Sequence, residues 1–112
     1  MIFTREDGLS FELNNKNFTA KVINSPNAQG SIFIPRSIDY QSVDYIVTKI
    51  NIGSFKCNRN ITTIKFSDNS EVRSIDKCAF YNSSLQRISI PRHVTSIGEH
   101  AFFLCYNLKE VL

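Results

Sequence analysis

The side chains best suited to bind a metal ion lie near the end of the chain. His93 and His100 are seven positions apart, and Glu99 and Cys105 are close to them in the sequence. Imidazole, carboxylate and thiolate groups are common metal ligands, so these four residues define a candidate metal site. Their spacing matches neither an H-x-x-x-H nor a C-x-x-C pattern. We interpret the two histidines as solvent-facing side chains of one structural unit, and we predict no metal and no other cofactor.

No motif indicates nucleophilic catalysis. The sequence has no G-x-S-x-G, and neither histidine has an obvious serine or cysteine partner. The four glycines are isolated from one another, so none forms a loop that cradles a phosphate. We therefore predict no catalytic residues, and we predict that the chain is not an enzyme.

The cysteines do not indicate a disulfide framework. Cys57, Cys78 and Cys105 are odd in number and about 20 to 30 residues apart, whereas a secreted disulfide scaffold needs an even set. We interpret them as buried or half-buried free thiols. Cys105 is expected to fill the core and to act as a weak donor to the backbone of a turn.

Composition limits the remaining classes of protein. The chain of 112 residues has room for one domain, and 42% hydrophobic residues with nine phenylalanines supply a core. The net charge of +3 is spread along the sequence, so no nucleic-acid partner is predicted. No apolar stretch approaches about 18 residues, so no membrane span is predicted. The charged start MIFTREDG is not a secretory signal peptide, and either a leader was removed or the protein is made without one.

The elements that position these side chains are the units of an internal repeat. A pattern with a period of about 23 residues starts at Ile61, again at Leu85 and again at Leu108. Each unit has a valine, an isoleucine three residues later and a phenylalanine five residues after that, with a small residue before the phenylalanine. These nine residues are Val47, Ile50, Phe55, Val72, Ile75, Phe80, Val94, Ile97 and Phe102. We predict that they form the core of a solenoid in which each unit is buried by its neighbours.

The front of each unit predicts a short strand. Ile64 alternates with Phe66, and Ile88 with Ile90, so each pair faces one side of a strand in a parallel sheet. The Val–Ile pair that follows is expected to cross a turn or a second strand, and the segment 100–105 to form a short helical or 3₁₀ turn. Gly98 aligns with turn-tolerant residues in the other units, which predicts a left-handed or tightly packed backbone there.

The repeat resembles a known family. Leu85–Leu108 reads L-x-x-I-x-I-P-x-x-V-T-S-I-G-x-x-A-F-x-x-C-x-x-L, which is similar to the BspA-type (Treponema pallidum type) leucine-rich repeat. The match is nearly complete there, is partial in Ile61–Ser84, and extends over about Ile32–Leu112. The resemblance implies a leucine-rich-repeat solenoid of short parallel β-strands with irregular, 3₁₀ or helical turns. It also implies kinship with surface proteins of oral bacteria and protozoan parasites that bind host proteins or neighbouring cells, and therefore a cell-surface or secreted location. The family has no shared catalytic residues.

The chain divides into a cap and a repeat region. Residues 1–29 are predicted to form an N-terminal β-hairpin cap from Leu9–Leu13 and Phe18–Ile23, because solenoids need an atypical end unit. Residues 30–112 hold an irregular first unit (30–60), two repeats (61–84 and 85–107) and a partial repeat (108–112). A second hairpin is predicted around Gln41 and Ser42. The last unit lacks a closing segment, which indicates a fragment of a longer array, a homodimer through this end, or both.

A candidate contact surface follows from the family resemblance. In leucine-rich repeats, the strand residues between core positions point to the open face of the sheet. Here they are Phe33, Thr63, Lys65, Arg87, Ser89, Glu110 and Leu112. Arginine and aromatic side chains are frequent interface anchors, so we predict a protein-binding or adhesion module that contacts an acidic protein surface. The alternatives are an ordinary solvated face and a self-assembly unit that dimerises through its C-terminal coil.

Three Asn-x-Ser/Thr sequons, at Asn17, Asn60 and Asn82, are close to the number that chance gives in so Asn-, Ser- and Thr-rich a chain. They are weak support for secretion. Turn hydrogen bonding accounts for Asn60, which directly precedes a repeat strand.

Overall fold

Short runs of alternating apolar and polar residues make this a protein of strands and turns. The computed structural model describes all residues from Met1 to Leu112 and contains eleven strands and no helix. They are β1 (Ile2–Thr4), β2 (Ser10–Asn14), β3 (Thr19–Val22), β4 (Gly30–Ile34), β5 (Ser37–Tyr40), β6 (Val43–Ile50), β7 (Ile61–Phe66), β8 (Ser74–Ile75), β9 (Arg87–Ile88), β10 (Ser96–Ile97) and β11 (Glu110–Val111).

The strands form two sheets around one apolar core. The first sheet has the order β1-β2-β3-β6-β8-β10, with β5 attached to β6, and the second has the order β11-β9-β7-β4. All pairs in the second sheet are parallel. The Val–Ile pairs, for which the sequence left open a turn or a second strand, contribute the short parallel strands β8 and β10 to the first sheet. Each repeat unit therefore crosses both sheets once.

The N-terminal unit is larger than the predicted hairpin. β2 and β3 form that hairpin, but β1 adds a third antiparallel strand and β3 pairs in parallel with β6. The loop after β1 is held by Arg5, whose guanidinium donates to the Asp7 carboxylate, and Asp7 also accepts from the Leu9 N–H. The hydrogen bond from Arg5 lowers the pKa of Asp7 below its usual value.

The predicted second hairpin is confirmed. β5 pairs antiparallel with β6, and Gln41 and Ser42 form the two-residue turn between them. Both residues have positive φ angles, 53° and 65°. Two successive left-handed residues are the geometry of a type I′ turn, whose twist matches that of the adjoining strands.

A ladder of phenylalanine rings runs through the repeat units. The Phe55 and Phe80 rings are stacked with centroids 5.1 Å apart and planes 7° apart, and the Phe80 and Phe102 rings follow at 5.4 Å and 2°. Phe55 and Phe80 are buried, as are Ser54, Ala79 and Ala101, the small residues that precede the three phenylalanines. Small side chains there allow the neighbouring turns to approach closely.

The turns that carry these rings repeat a single geometry. In each, the residues two before and two after the phenylalanine have positive φ: Gly53 and Cys57, Cys78 and Asn82, and His100 and Leu104. These left-handed residues separate successive i→i+3 hydrogen bonds, so residues 100–105 form consecutive turns rather than a helix. The phenylalanine N–H donates to the next unit: Phe55 to the Ala79 carbonyl at 2.7 Å, and Phe80 to the Ala101 carbonyl at 2.8 Å.

The last unit is less buried than the sequence predicted. Val47, Ile50, Val72 and Ile75 are buried, but Ile97 is 52% exposed, and Val94 and Phe102 are only half-buried. The placement of Ile97 in the core is therefore wrong for this chain. The physical reason is that each unit is covered by the one that follows it, and no unit covers the face that Ile97 shares with Phe102.

Gly98 is required for a close approach, not for a left-handed backbone. Its φ is not positive, unlike that of Gly8, Gly30 and Gly53. A Cβ atom at Gly98 would lie 2.3 Å from the Lys77 backbone nitrogen in the preceding unit. The tight packing that the sequence indicated is present, and the left-handed alternative is wrong.

The three cysteines are free thiols, as predicted. Cys78 and Cys105 are half-buried, but Cys57 is exposed, so its predicted burial is wrong. Cys105 Sγ donates to the Phe80 carbonyl at 2.8 Å, which confirms the predicted weak donor to a turn.

Candidate protein-binding face

The seven predicted contact residues lie on, or directly beside, the four strands of the second sheet. Strand register places Thr63 next to Arg87 and Arg87 next to Glu110. In the adjacent row Phe33 pairs with Lys65. Because Ile64 and Val111 both pair with Ile88, Ser89 and Leu112 continue that second row. Register thus arranges the seven residues in two rows, and their role in binding stays a prediction.

The two ends of this face are apolar. Phe33 is 51% exposed and Leu112 is 72% exposed, although both are large hydrophobic side chains. Phe33 also borders a shallow hollow of about 530 Å³ that Phe66, Ser67, Asp68 and Asn69 complete. Exposed apolar side chains beside a concavity are a common feature of contact sites.

The middle of the face is charged. Lys65 is exposed and belongs to none of the ion pairs of the chain. Arg87 Nε lies 4.0 Å from Glu110 Oε1, and both side chains are about half exposed. A pair at this distance and exposure contributes little to stability, so Arg87 remains available to a carboxylate on another molecule. Thr63 is half-buried and pairs with Arg87 on one side and Ser31 on the other.

The histidines are not assembled into a metal centre. His100 Nδ1 lies 3.2 Å from Glu99 Oε1, and the His100 ring meets Phe103 edge-on at 4.7 Å. His93 is half-buried rather than solvent-facing. No three histidine, cysteine, aspartate or glutamate side chains come together in metal-binding geometry. The arrangement around His100 is that of a surface side chain packed on a neighbour.

Sequence reasoning missed the most connected polar residue, Asn58. Its side chain is buried and donates from Nδ2 to the Ser25 and Ala28 carbonyls at 3.1 Å and 2.9 Å. Its Oδ1 accepts from the N–H groups of Asn60 and Ile61 at 2.8 Å and 3.1 Å. Together, these four hydrogen bonds connect the loop that contains Ser25 and Ala28 to the start of β7. The repeat contains a signal for this residue. A polar or thiol side chain stands three residues after the ladder phenylalanine in each unit, and Asn58, Ser83 and Cys105 occupy this position.

Parallel strands, stacked turns and a buried phenylalanine ladder define a leucine-rich-repeat protein. The family model described as "BspA type Leucine rich repeat region" matches residues 29–112, and the chain belongs to this family. The resemblance found in Leu85–Leu108 is thereby confirmed.

Solved structures support the fold assignment. The chain is similar to the pneumococcal vaccine antigen PcpA (17% identity, TM-score 0.61), covering 99% of this chain and 37% of PcpA. A leucine-rich repeat protein from Bacteroides capillosus is similar over 96% of this chain and 95% of its own (21% identity, TM-score 0.58). One from Bacteroides ovatus is similar over 97% and 40% (19% identity, TM-score 0.52). The chain thus spans well under half the length of two of these proteins.

No curated protein matches the sequence at a significant level. The structure has no helix with the length and apolar character needed to cross a bilayer. Proteins of this repeat class are scaffolds whose stacked units present extended surfaces for protein interaction, without a built-in reaction. The family assignment therefore supports a non-enzymatic interaction module.

Proposed function

We propose that the chain is an adhesion module that binds an acidic protein at the cell surface through the outer face of its second sheet. The observation that carries this proposal is the strand register, which supports a continuous contact area with Lys65 and Arg87 at its centre and Phe33 and Leu112 at its ends. A cell-surface location follows from the kinship of the family and is part of the proposal.

The chemistry of the face fits such a partner. Arg87 presents several N–H donors in a planar fork, which suits carboxylates. Phe33 supplies apolar area that binding would remove from water, at roughly 25 cal/mol per Å². Glu110 holds Arg87 only loosely, at 4.0 Å, so a better placed carboxylate on the partner competes for the guanidinium.

Arg87→Glu is expected to weaken binding of an acidic partner at least about tenfold, because it replaces an attraction with a repulsion. The measurement is biolayer interferometry with the wild-type protein against purified acidic extracellular proteins, followed by the variant against any protein that binds saturably. Unchanged affinity of the variant would argue against this face.

A matched control separates the face from the net charge of the chain. Lys77→Glu makes the same change at an exposed residue on a turn that follows β8, away from the second sheet. We expect this variant to bind as tightly as the wild type. An equal loss in both variants would assign the effect to overall charge.

A second function, self-assembly, is favoured by the exposed last unit. Ile97, Phe103, Tyr106 and Leu112 are 52%, 48%, 79% and 72% exposed, and β10 and β11 each have an unpaired edge. An open strand edge beside apolar side chains is suited to pairing with a second copy. We propose a homodimer through this end as the alternative function.

Light scattering tests the dimer. The wild type at high concentration is expected to have twice the mass of one chain, and Ile97→Asp is expected to be monomeric because it puts a carboxylate in the contact. Ile52→Asp is the control, since Ile52 is similarly exposed, at 63%, but lies in the first unit. A monomeric wild type would refute this alternative.

A further inference from the structure

A polar groove lies on the first sheet, between the turn joining β2 to β3 and the end of β6. Its volume is about 450 Å³, within the range of roughly 300–1,000 Å³ that is typical of small-ligand sites. Only two of its ten lining residues, Leu13 and Ala20, are hydrophobic. The groove shares no residue with the contact face on the second sheet, so its role is independent of the proposed function.

A strand irregularity places two lysines side by side in this groove. Ala20 pairs with Val47, but the next residue, Lys21, pairs with Lys49, so Thr48 is an extra residue in β6. Without this bulge Lys21 would lie opposite Thr48. Like charges directly opposite each other destabilise a sheet, and bulges frequently re-aim side chains beside binding sites. The bulge therefore brings two positively charged side chains to one paired position of the sheet, beside the groove.

The charges of the groove are incompletely balanced. Three lysines line it, Lys16, Lys21 and Lys49, against the single carboxylate of Glu12. Glu12 lies 3.1 Å from Lys21, whereas Lys49 is 3.8 Å from Asp76, which is not part of the lining. Lys16 takes part in no ion pair and stands on the exposed turn at the entrance. The lining has an excess of positive charge that a bound anion would neutralise.

We propose that this groove binds a sulfated sugar chain. Lysine ammonium groups suit sulfate oxygens as point charges. The remaining lining includes Asn14, Asn15 and Thr19, whose amides and hydroxyl both donate and accept, as sugar hydroxyls require. A peptide with apolar side chains would find little apolar surface there. The ligand class is therefore an anionic glycan, bound on the first sheet and independently of the protein-contact face on the second.

Calorimetric titration with a sulfated hexasaccharide of the heparin type tests the proposal. We expect saturable binding by the wild type that weakens as salt is raised, and binding at least about tenfold weaker for the unsulfated hexasaccharide. The double variant Lys21→Gln, Lys49→Gln is expected to lose at least about tenfold in affinity. The variant Lys65→Gln, which removes a charge from the other sheet, is expected to bind like the wild type.

The stability of the variants separates a binding role from a structural one. Lys49 lies opposite Lys21, and its partly exposed ion pair with Asp76 at 3.8 Å contributes little to stability, so Lys49→Gln is expected to unfold at about the same temperature as the wild type or higher while losing affinity for the glycan. A lowered unfolding temperature would overturn the argument from the bulge. Equal affinity for the unsulfated sugar, for an acidic peptide of the same charge, or in the double variant would overturn the glycan site. Arg87→Glu leaves this titration unchanged, so failure here is distinguishable from failure of the contact face.

Discussion

Replacing Phe80 with alanine is expected to lower the free energy of unfolding by about 3–5 kcal/mol, the usual cost of removing a fully buried aromatic ring. Phe80 has no exposed surface and lies between the Phe55 and Phe102 rings, at 5.1 Å and 5.4 Å. Its loss leaves a cavity in the middle of the ladder and removes both stacking contacts. Neighbouring turns cannot close the cavity, because their backbones are joined by hydrogen bonds from Phe55 to Ala79 and from Phe80 to Ala101.

Urea denaturation of both proteins measures this loss. The control is Phe103→Ala. Phe103 directly follows the ladder residue Phe102 in the sequence, but its side chain is 48% exposed. We expect the control to lose about 1 kcal/mol or less, because an exposed ring contributes little burial. Equal losses in the two variants would contradict the phenylalanine ladder as the main apolar support of the repeats.

Replacing Asn58 with alanine is expected to cost about 2–4 kcal/mol, although the residue is polar and small. The change removes four hydrogen bonds and leaves the Ile61 N–H and the Ala28 carbonyl without a partner in the interior, whereas the Ser25 carbonyl keeps the Ala28 N–H. A buried polar group that loses its partner costs about 1–3 kcal/mol. Some of this cost is recovered where water reaches the Asn60 N–H, which is only partly buried.

Asn60→Ala is the matched control for this variant. Asn60 is exposed, and its side chain makes none of the hydrogen bonds of the Asn58 network. We expect its effect to lie within about 0.5 kcal/mol of zero. Amide hydrogen exchange gives a second measurement, since the Ile61 N–H is expected to exchange faster in Asn58→Ala than in Asn60→Ala. Unchanged protection of Ile61 in the Asn58 variant would show that the network contributes nothing.

The regular part of the fold follows from the sequence because the repeat imposes it. The invariant spacing of Val72, Ile75 and Phe80 fixes one strand position and one ring position per unit, and stacking then determines the rest. The hairpin around Gln41 was also predictable, because apolar and polar residues alternate on both sides of a two-residue turn.

Other features of the structure could not be predicted, because they depend on contacts between residues that are far apart in the sequence. β1 is three residues long, too short to leave a periodic signal. Cys78 and Asn82 take left-handed backbone conformations without being glycine, and their N–H groups are held by the Glu99 and Phe103 carbonyls of the next unit. Ile97 has the pattern of a core residue, and only the absence of a covering unit exposes it. The pairing of Lys21 with Lys49 in the groove depends on a bulge at Thr48, and no local sequence pattern predicts that bulge.

Every second backbone N–H group of the turns at residues 53–57 and 78–82 donates to the unit that follows. Phe55 and Phe80 donate forward, and at the last turn the Phe102 and Leu104 N–H groups have no acceptor. The outer side of the last turn therefore presents N–H donors that are without acceptors. Two copies that met through these turns would set donor against donor, so a symmetric dimer has to rely on strand edges and side chains. A head-to-tail contact is also disfavoured, since the Ser25 N–H already occupies the Ser54 carbonyl at the opposite end.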